Sequence, residues 1–261
     1  MKAGARAAPK VGGGRALTAL HIGVTTSAMS KPVCVVVGIG PGNGAAFARR
    51  FSEGGYKVAL LARRPELTNE LAAQLPDAKA YACDVTEIAS IERTFAAIQK
   101  DLGEVDVLVY NAGSGTWGTV EEITPRDLEL AMRVNASGLL ASAQAVIPAM
   151  KAKKKGSIVV IGATASRRGG AKTAAFAPAK AAQRCLAESM ARHLWPSGIH
   201  VSLIIIDGVI DIPSTRARMK DKPDSFFLKP ADIAETAFHL TNQASSAWSF
   251  EVEARPFAET W

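Results

Sequence analysis

The chain has 261 residues, 48% hydrophobic and 21% charged, with a formal net charge of +7. That is enough for one large domain or two small ones, too apolar for a disordered polymer, and without an apolar run as long as a membrane span. Three widely spaced cysteines, Cys34, Cys83 and Cys185, make neither a disulfide framework nor a CxxC site, which points to a reducing compartment.

Four of the seven excess positive charges, Lys2, Arg6, Lys10 and Arg15, fall in residues 1–30, which contain no acid. The charge is therefore no sign of a nucleic-acid partner, and no membrane partner is expected either. Residues 1–30 read as a disordered extension or a transit peptide, or as sequence upstream of a working start at Met29. A transit peptide would place the protein in a mitochondrion or plastid, and a start at Met29 in the cytoplasm.

Residues 31–261 alternate short β-branched runs with helical stretches. Val33 to Val37 is followed by a helix over 43–54, Val58 to Leu61 by a helix over 66–75, and a further helix spans 87–102. Val105 to Val109 precedes a helix over 125–150, and Ser157 to Ile161 one over 172–195. Val201 to Ile206 leads to a helix over 230–242 and a short run, Trp248 to Val252, that reads as an edge strand. Runs apolar on both faces suit a parallel sheet covered on both sides. The pattern predicts a single domain with an α/β fold, a doubly wound Rossmann-type parallel sheet in three α/β/α layers.

Gly38-Ile39-Gly40-Pro41-Gly42-Asn43-Gly44 stands between the first strand and the first helix. Glycines there allow a tight turn and let backbone N–H groups at a helix N-terminus approach a pyrophosphate; a glycine turn that merely packs is the alternative. At the end of the second strand, where a carboxylate would bond the ribose hydroxyls of NAD, the chain has Arg63 and Arg64. Two guanidinium groups favour the 2′-phosphate of NADP over NAD, the alternative being a solvated basic loop.

With Cys83-Asp84-Val85 after a third strand and Asn111-Ala112-Gly113 after a fourth, the glycine spacing resembles the short-chain dehydrogenase/reductase family from about Pro32 to Glu253. The resemblance implies that Gly38, Gly40, Gly42, Asn43 and Gly44 hold the cofactor's phosphates and that Asp84 and Val85 meet its adenine. A turn or capping role stays open for Asp84. Asn111, Ala112 and Gly113 would lie beside the cofactor. Asn135 matches the family's helical asparagine, and Lys180, in Ala177-Pro178-Ala179-Lys180-Ala181-Ala182, its catalytic lysine. That lysine holds the nicotinamide ribose and lowers the pKa of a tyrosine four residues earlier.

Two of the four catalytic positions depart from the family. The tyrosine position holds Phe176 and the serine position Ala163. The three tyrosines are Tyr56, Tyr81 and Tyr110, and the longer Tyr-x6-Lys spacing would fall on Thr173, so no shift of register supplies the acid. A positioned acid contributes roughly 10²–10⁴-fold to such a reaction. Three outcomes follow. A substitute donor acts, Ser166 first, then Thr164, Asp211 or a water held by Lys180 and Asn135. Or the substrate, such as an iminium or a conjugated acceptor, needs little acid. Or the protein binds NADP(H) without redox chemistry, as a sensor or interaction partner. The expectation is NADP-dependent hydride transfer to or from a small carbonyl, alcohol or imine-like substrate.

After the sixth strand, Asp207-Gly208-Val209-Ile210-Asp211-Ile212 replaces the family's Pro-Gly turn and threonine. Backbone groups of Gly208, Val209 and Ile210 are expected at the nicotinamide carboxamide, and Ser214 or Thr215 in place of the threonine. No metal-ligand spacing occurs. The resemblance implies a homodimer or homotetramer through the helices over 125–150 and 172–195.

Overall fold

Five consecutive buried residues form β1 (Val33–Val37). Val33, Val35 and Val37 face one core and Cys34 and Val36 the other, as the period of two in a strand requires. The further strands are β2 (Lys57–Ala62), β3 (Ala78–Ala82), β4 (Val105–Tyr110), β5 (Gly156–Ala163), β6 (Ile199–Ile206), β7 (Val209–Ile210), β8 (Phe227–Leu228) and β9 (Glu251–Ala254). The main helices are α1 (Asn43–Glu53), α2 (Pro65–Gln74), α3 (Ile88–Asp101), α4 (Pro125–Met132), α5 (Gly138–Lys153), α6 (Phe176–Leu194), α7 (Pro213–Arg218) and α8 (Pro230–Thr241). This computed structural model describes residues 30–113 and 116–258 with Met1, Lys2, Gly4 and Ala7, and divides into two units, Met1–Ser30 and Lys31–Trp261. The reading of residues 1–30 as an extension or transit peptide lies largely outside the described residues.

Seven strands form one parallel sheet in the order β3-β2-β1-β4-β5-β6-β9, and β7 pairs only with β8. Helices α3, α5 and α6 cover one face through Ile91, Phe95, Leu139, Met150, Met190 and Leu194. Helices α1, α2 and α8 cover the other through Phe47, Phe51, Leu71, Ile233 and Leu240. Spacings of four, seven and eleven residues put these side chains on one stripe of each helix, and each fully buried large apolar side chain contributes about 1.5–3 kcal/mol. The order reverses between β1 and β4, the switch point at which a doubly wound sheet opens a crevice at its strand C-termini.

Three boundaries differ from the sequence reading. The helix expected from 172 begins at Phe176, because Thr173 folds back on Gly170, its Oγ1 accepting from that N–H at 2.8 Å, and forms a bridge with Gly118. The edge strand begins at Glu251 rather than Trp248, whose ring stacks on His200 at 4.8 Å between centroids. The helix over 125–150 is interrupted by a π turn, Arg133–Ser137. There the Gly138 N–H reaches back five residues to Arg133 O, and the Val134 carbonyl, passed over, accepts from the Tyr110 hydroxyl at 2.5 Å.

Candidate functional site

The crevice begins at the glycine loop. Gly38 has φ +93°, and a Cβ there would stand 2.6 Å from Ala112 N, so only glycine fits against the Asn111-Ala112-Gly113 turn. Asn111 fastens the contact, its Nδ2 donating to Gly38 O at 2.7 Å. Gly44 lets α1 start directly over this turn, since its Cβ would lie 2.5 Å from Gly38 O. Gly40, by contrast, has open space where a Cβ would stand. Gly42 is the N-cap of α1 and gives no side-chain cap, and the first turn has no acid; Ala45 N–H donates to Gly40 O at 3.1 Å, and the N–H groups of Asn43 and Gly44 are left for an anion among the described residues. Asn43 keeps a buried side-chain oxygen without a partner among the described residues.

A cleft of about 410 Å³ runs from Gly38 and Gly40 past Arg63, Asp84 and Val85 to Asn111 and Gly113. A second hollow, about 580 Å³, continues it over Gly40, Pro41, Arg63 and Arg64. Both arginines are exposed and have no acidic partner among the described residues. Asp84 lines the cleft, and its Oδ1 accepts from the N–H and hydroxyl of Thr86 at 2.9 and 2.8 Å. An open backbone approach at Gly40, unpaired N–H groups at α1 and guanidinium groups beyond β2 together fit a phosphorylated dinucleotide.

At the far end of the cleft three elements meet. The π turn buries Asn135, whose Nδ2 donates to Ala131 O at 2.9 Å while its Oδ1 has no partner among the described residues. Helix α6 buries Lys180, whose Nζ donates to Ile161 O of β5 and to Gln183 Oε1, both at 2.9 Å. A Cβ on Gly113 would lie 3.6 Å from both Asn135 Oδ1 and Lys180 Nζ, so the two polar groups border one space beside that glycine. Burial pushes the Lys180 ammonium down to about 7, with no charged neighbour contributing. Phe176 is one turn earlier on the same helix, its ring centroid 6.0 Å from Lys180 Nζ and stacked on exposed Trp117 at 5.1 Å.

The other donor candidates divide by their partners. The Ser166 hydroxyl is buried in the turn Thr164–Ser166 after β5, without a partner among the described residues. Thr164 Oγ1 is held by Asp207 Oδ1 at 2.5 Å, and Asp211 is paired with Arg216 at 2.6 Å, which holds its carboxyl below the usual range. Gly208, at φ +144°, turns the chain into β7, so Val209 and Ile210 pair with Phe227 and Leu228. Thr215 turns its hydroxyl onto Ile210 O at 2.6 Å, and Ser214 is exposed. Sequence reasoning passed over three residues here: Trp117, Gln183 and Tyr110. Only Gln183 left a signal, a polar residue three positions after Lys180 on a face otherwise bearing Ala179 and Ala187.

The family model for short chain dehydrogenase matches residues 32–223. The oxidoreductase asL5 of Sarocladium schorii is 31% identical over 177 residues, 67% of this chain and 71% of the relative. A sorbitol dehydrogenase of Cereibacter sphaeroides is 35% identical over 179 residues, 68% of this chain and 70% of the relative. Among solved structures, a metagenomic short-chain oxidoreductase in complex with NADP is similar at TM-score 0.74 and 30% identity, over 89% of this chain and 100% of its own. With the family pattern running from the first strand past α7, the chain belongs to the short-chain dehydrogenase family of oxidoreductases.

Proposed function

We propose that the chain is an NADP(H)-dependent oxidoreductase acting on a small carbonyl, alcohol or imine-like substrate without the family's tyrosine acid. The observation that carries this reading is the meeting of Lys180 Nζ and Asn135 Oδ1 beside Gly113, at the end of the glycine-lined cleft. The NADP complex of a 30% identical neighbour supports the cofactor. Gly38, Gly40, Gly42, Asn43 and Gly44 would hold the diphosphate, Arg63 and Arg64 the 2′-phosphate, and Asn111, Ala112 and Gly113 would wall the nicotinamide end. When bound, the cofactor supplies or accepts the hydride. Lys180 would reach the space beside Gly113 with its one uncommitted N–H, Asn135 would offer an acceptor to a hydroxyl or water there, and the half-buried Phe176 would give the substrate an apolar wall in place of a phenol.

Phe176 and Ala163 also favour a second reading, a catalytically silent NADP(H)-binding protein acting as a sensor or partner. Fluorescence titration with NADPH and NADH tests the cofactor. NADPH should bind at least about tenfold more tightly, roughly 1.4 kcal/mol, and Arg63→Asp should erase the difference. Equal affinities in the unaltered protein would sink the NADP assignment. Tight NADPH binding with no turnover across a panel of carbonyls, imines and alcohols would favour the silent reading.

A further inference from the structure

Gln183 is fully buried on the α6 face that carries Ala179 and Ala187. An ammonium only donates, so the amide oxygen must face Lys180, and Nε2 is left buried with no partner among the described residues. An amide held in an apolar layer with its donor unused weakens packing, so its use lies in what its oxygen holds. Of the three Lys180 N–H bonds, one goes to Ile161 O and one to Gln183 Oε1. The third has the space beside Gly113 that the unpartnered Asn135 Oδ1 also borders.

We propose that Gln183 is a positioning residue and that the third N–H of Lys180, aimed by it, is the proton source standing in for the missing phenol. The proposal rests on the oxidoreductase reading above. In the reductive direction the substrate's carbonyl carbon receives hydride from the reduced nicotinamide dinucleotide, one N–H bond of Lys180 breaks and an O–H bond forms on the substrate oxygen. Lys180 is left as the neutral amine and regains its proton from solvent. An acid works best when it ionises near the working pH, and burial has brought Lys180 to about 7. The charged groups on the surrounding elements stand apart from it. Arg126 and Glu129 of α4, Arg133 of the π turn and Arg168 are exposed, and Arg167 and Arg184 are paired with Glu251.

The test is the ionisation of Lys180 in the full-length labelled chain, read from its ¹³Cε and ¹⁵Nζ shifts across pH. Unaltered protein, Gln183→Leu and the nearly isosteric Gln183→Glu are compared, with circular dichroism to confirm folding. Gln183→Leu removes an acceptor from the charged form and should lower the Lys180 pKa; Gln183→Glu adds a negative charge and should raise it. About a tenfold change in the ionisation constant is expected in each direction. The pH above which reduction falls off should move the same way in each variant. Unmoved ionisation in both variants would overturn the positioning role, and a pH profile that stays fixed while the ionisation moves would overturn Lys180 as the proton source. A protein that binds NADPH and turns nothing over removes the reaction and that proton source together, while the coupling of Gln183 to Lys180 remains readable by NMR.

Discussion

At the scale of the residue, the site is defined by Phe176 and Ala163 and by what surrounds them. Phe176 occupies the helical position one turn before Lys180, and its ring lies 6.0 Å from Nζ, so the scaffold for a phenol is intact although the hydroxyl is absent. Ala163, the last residue of β5, is the position at which the resemblance implies a serine. Restoring both hydroxyls, in Phe176→Tyr with Ala163→Ser, is expected to raise the reduction of simple ketones by about 10²–10⁴-fold, the usual contribution of a positioned acid. Steady-state kinetics on a ketone panel checks this, and an unchanged kcat/KM would show that the space beside Phe176 is not where substrate binds. Lys180, Asn135 and the loss of tyrosine were legible from local spacing. Trp117 was not, and Gln183 left only its polarity on an apolar helix face, because their significance lies in contacts between side chains and in no motif.

At the scale of the element, the decisive feature is the π turn Arg133–Ser137. It sits in the middle of what the sequence presents as one helix, and it is Tyr110, at the end of β4, that accommodates it by donating to Val134 O. Burial first, then the Cys83 thiol, holds the Tyr110 phenol well above its usual range, so it remains a donor. Gly138 completes the fit, because a Cβ there would lie 2.5 Å from the Tyr110 hydroxyl. Tyr110→Phe leaves a buried carbonyl without its partner and should cost about 1–3 kcal/mol of stability, measurable as a lower urea midpoint. An unchanged midpoint would mean that the Val134 carbonyl finds another donor. The strands were legible because their apolar runs are short and bounded. The π turn was not, since a register shift of one residue leaves no mark on a period of 3.6.

At the scale of the whole molecule, stability and function pull against each other at Lys180. In the unfolded chain its ammonium titrates at its ordinary 10.5, in the fold at about 7. Below pH 7 both states carry the proton, and the fold bears the full cost of the buried charge, on the order of 5 kcal/mol at about 1.4 kcal/mol per tenfold change in ionisation. Between pH 7 and 10.5 the unfolded chain binds more protons than the fold, so this penalty is relieved as pH rises. Lys180→Met should therefore melt above the unaltered protein at pH 6.5, with the gap narrowing towards pH 10. Equal melting temperatures at both pH values would show that the ammonium is solvated well enough to carry no such penalty.

The sequence by itself determined the parallel sheet, its two covered faces, the glycine turn at the switch point and the family, because these depend on periodicity and on glycines in fixed order along the chain. It also determined that the residue four positions before Lys180 is Phe176, since a residue type is read directly. Which groups gather around Lys180 was decided only by the tertiary structure. Asn135, Ile161, Lys180 and Gln183 come from three separate elements, and only folding brings them together and takes the lysine out of water, which lowers its pKa.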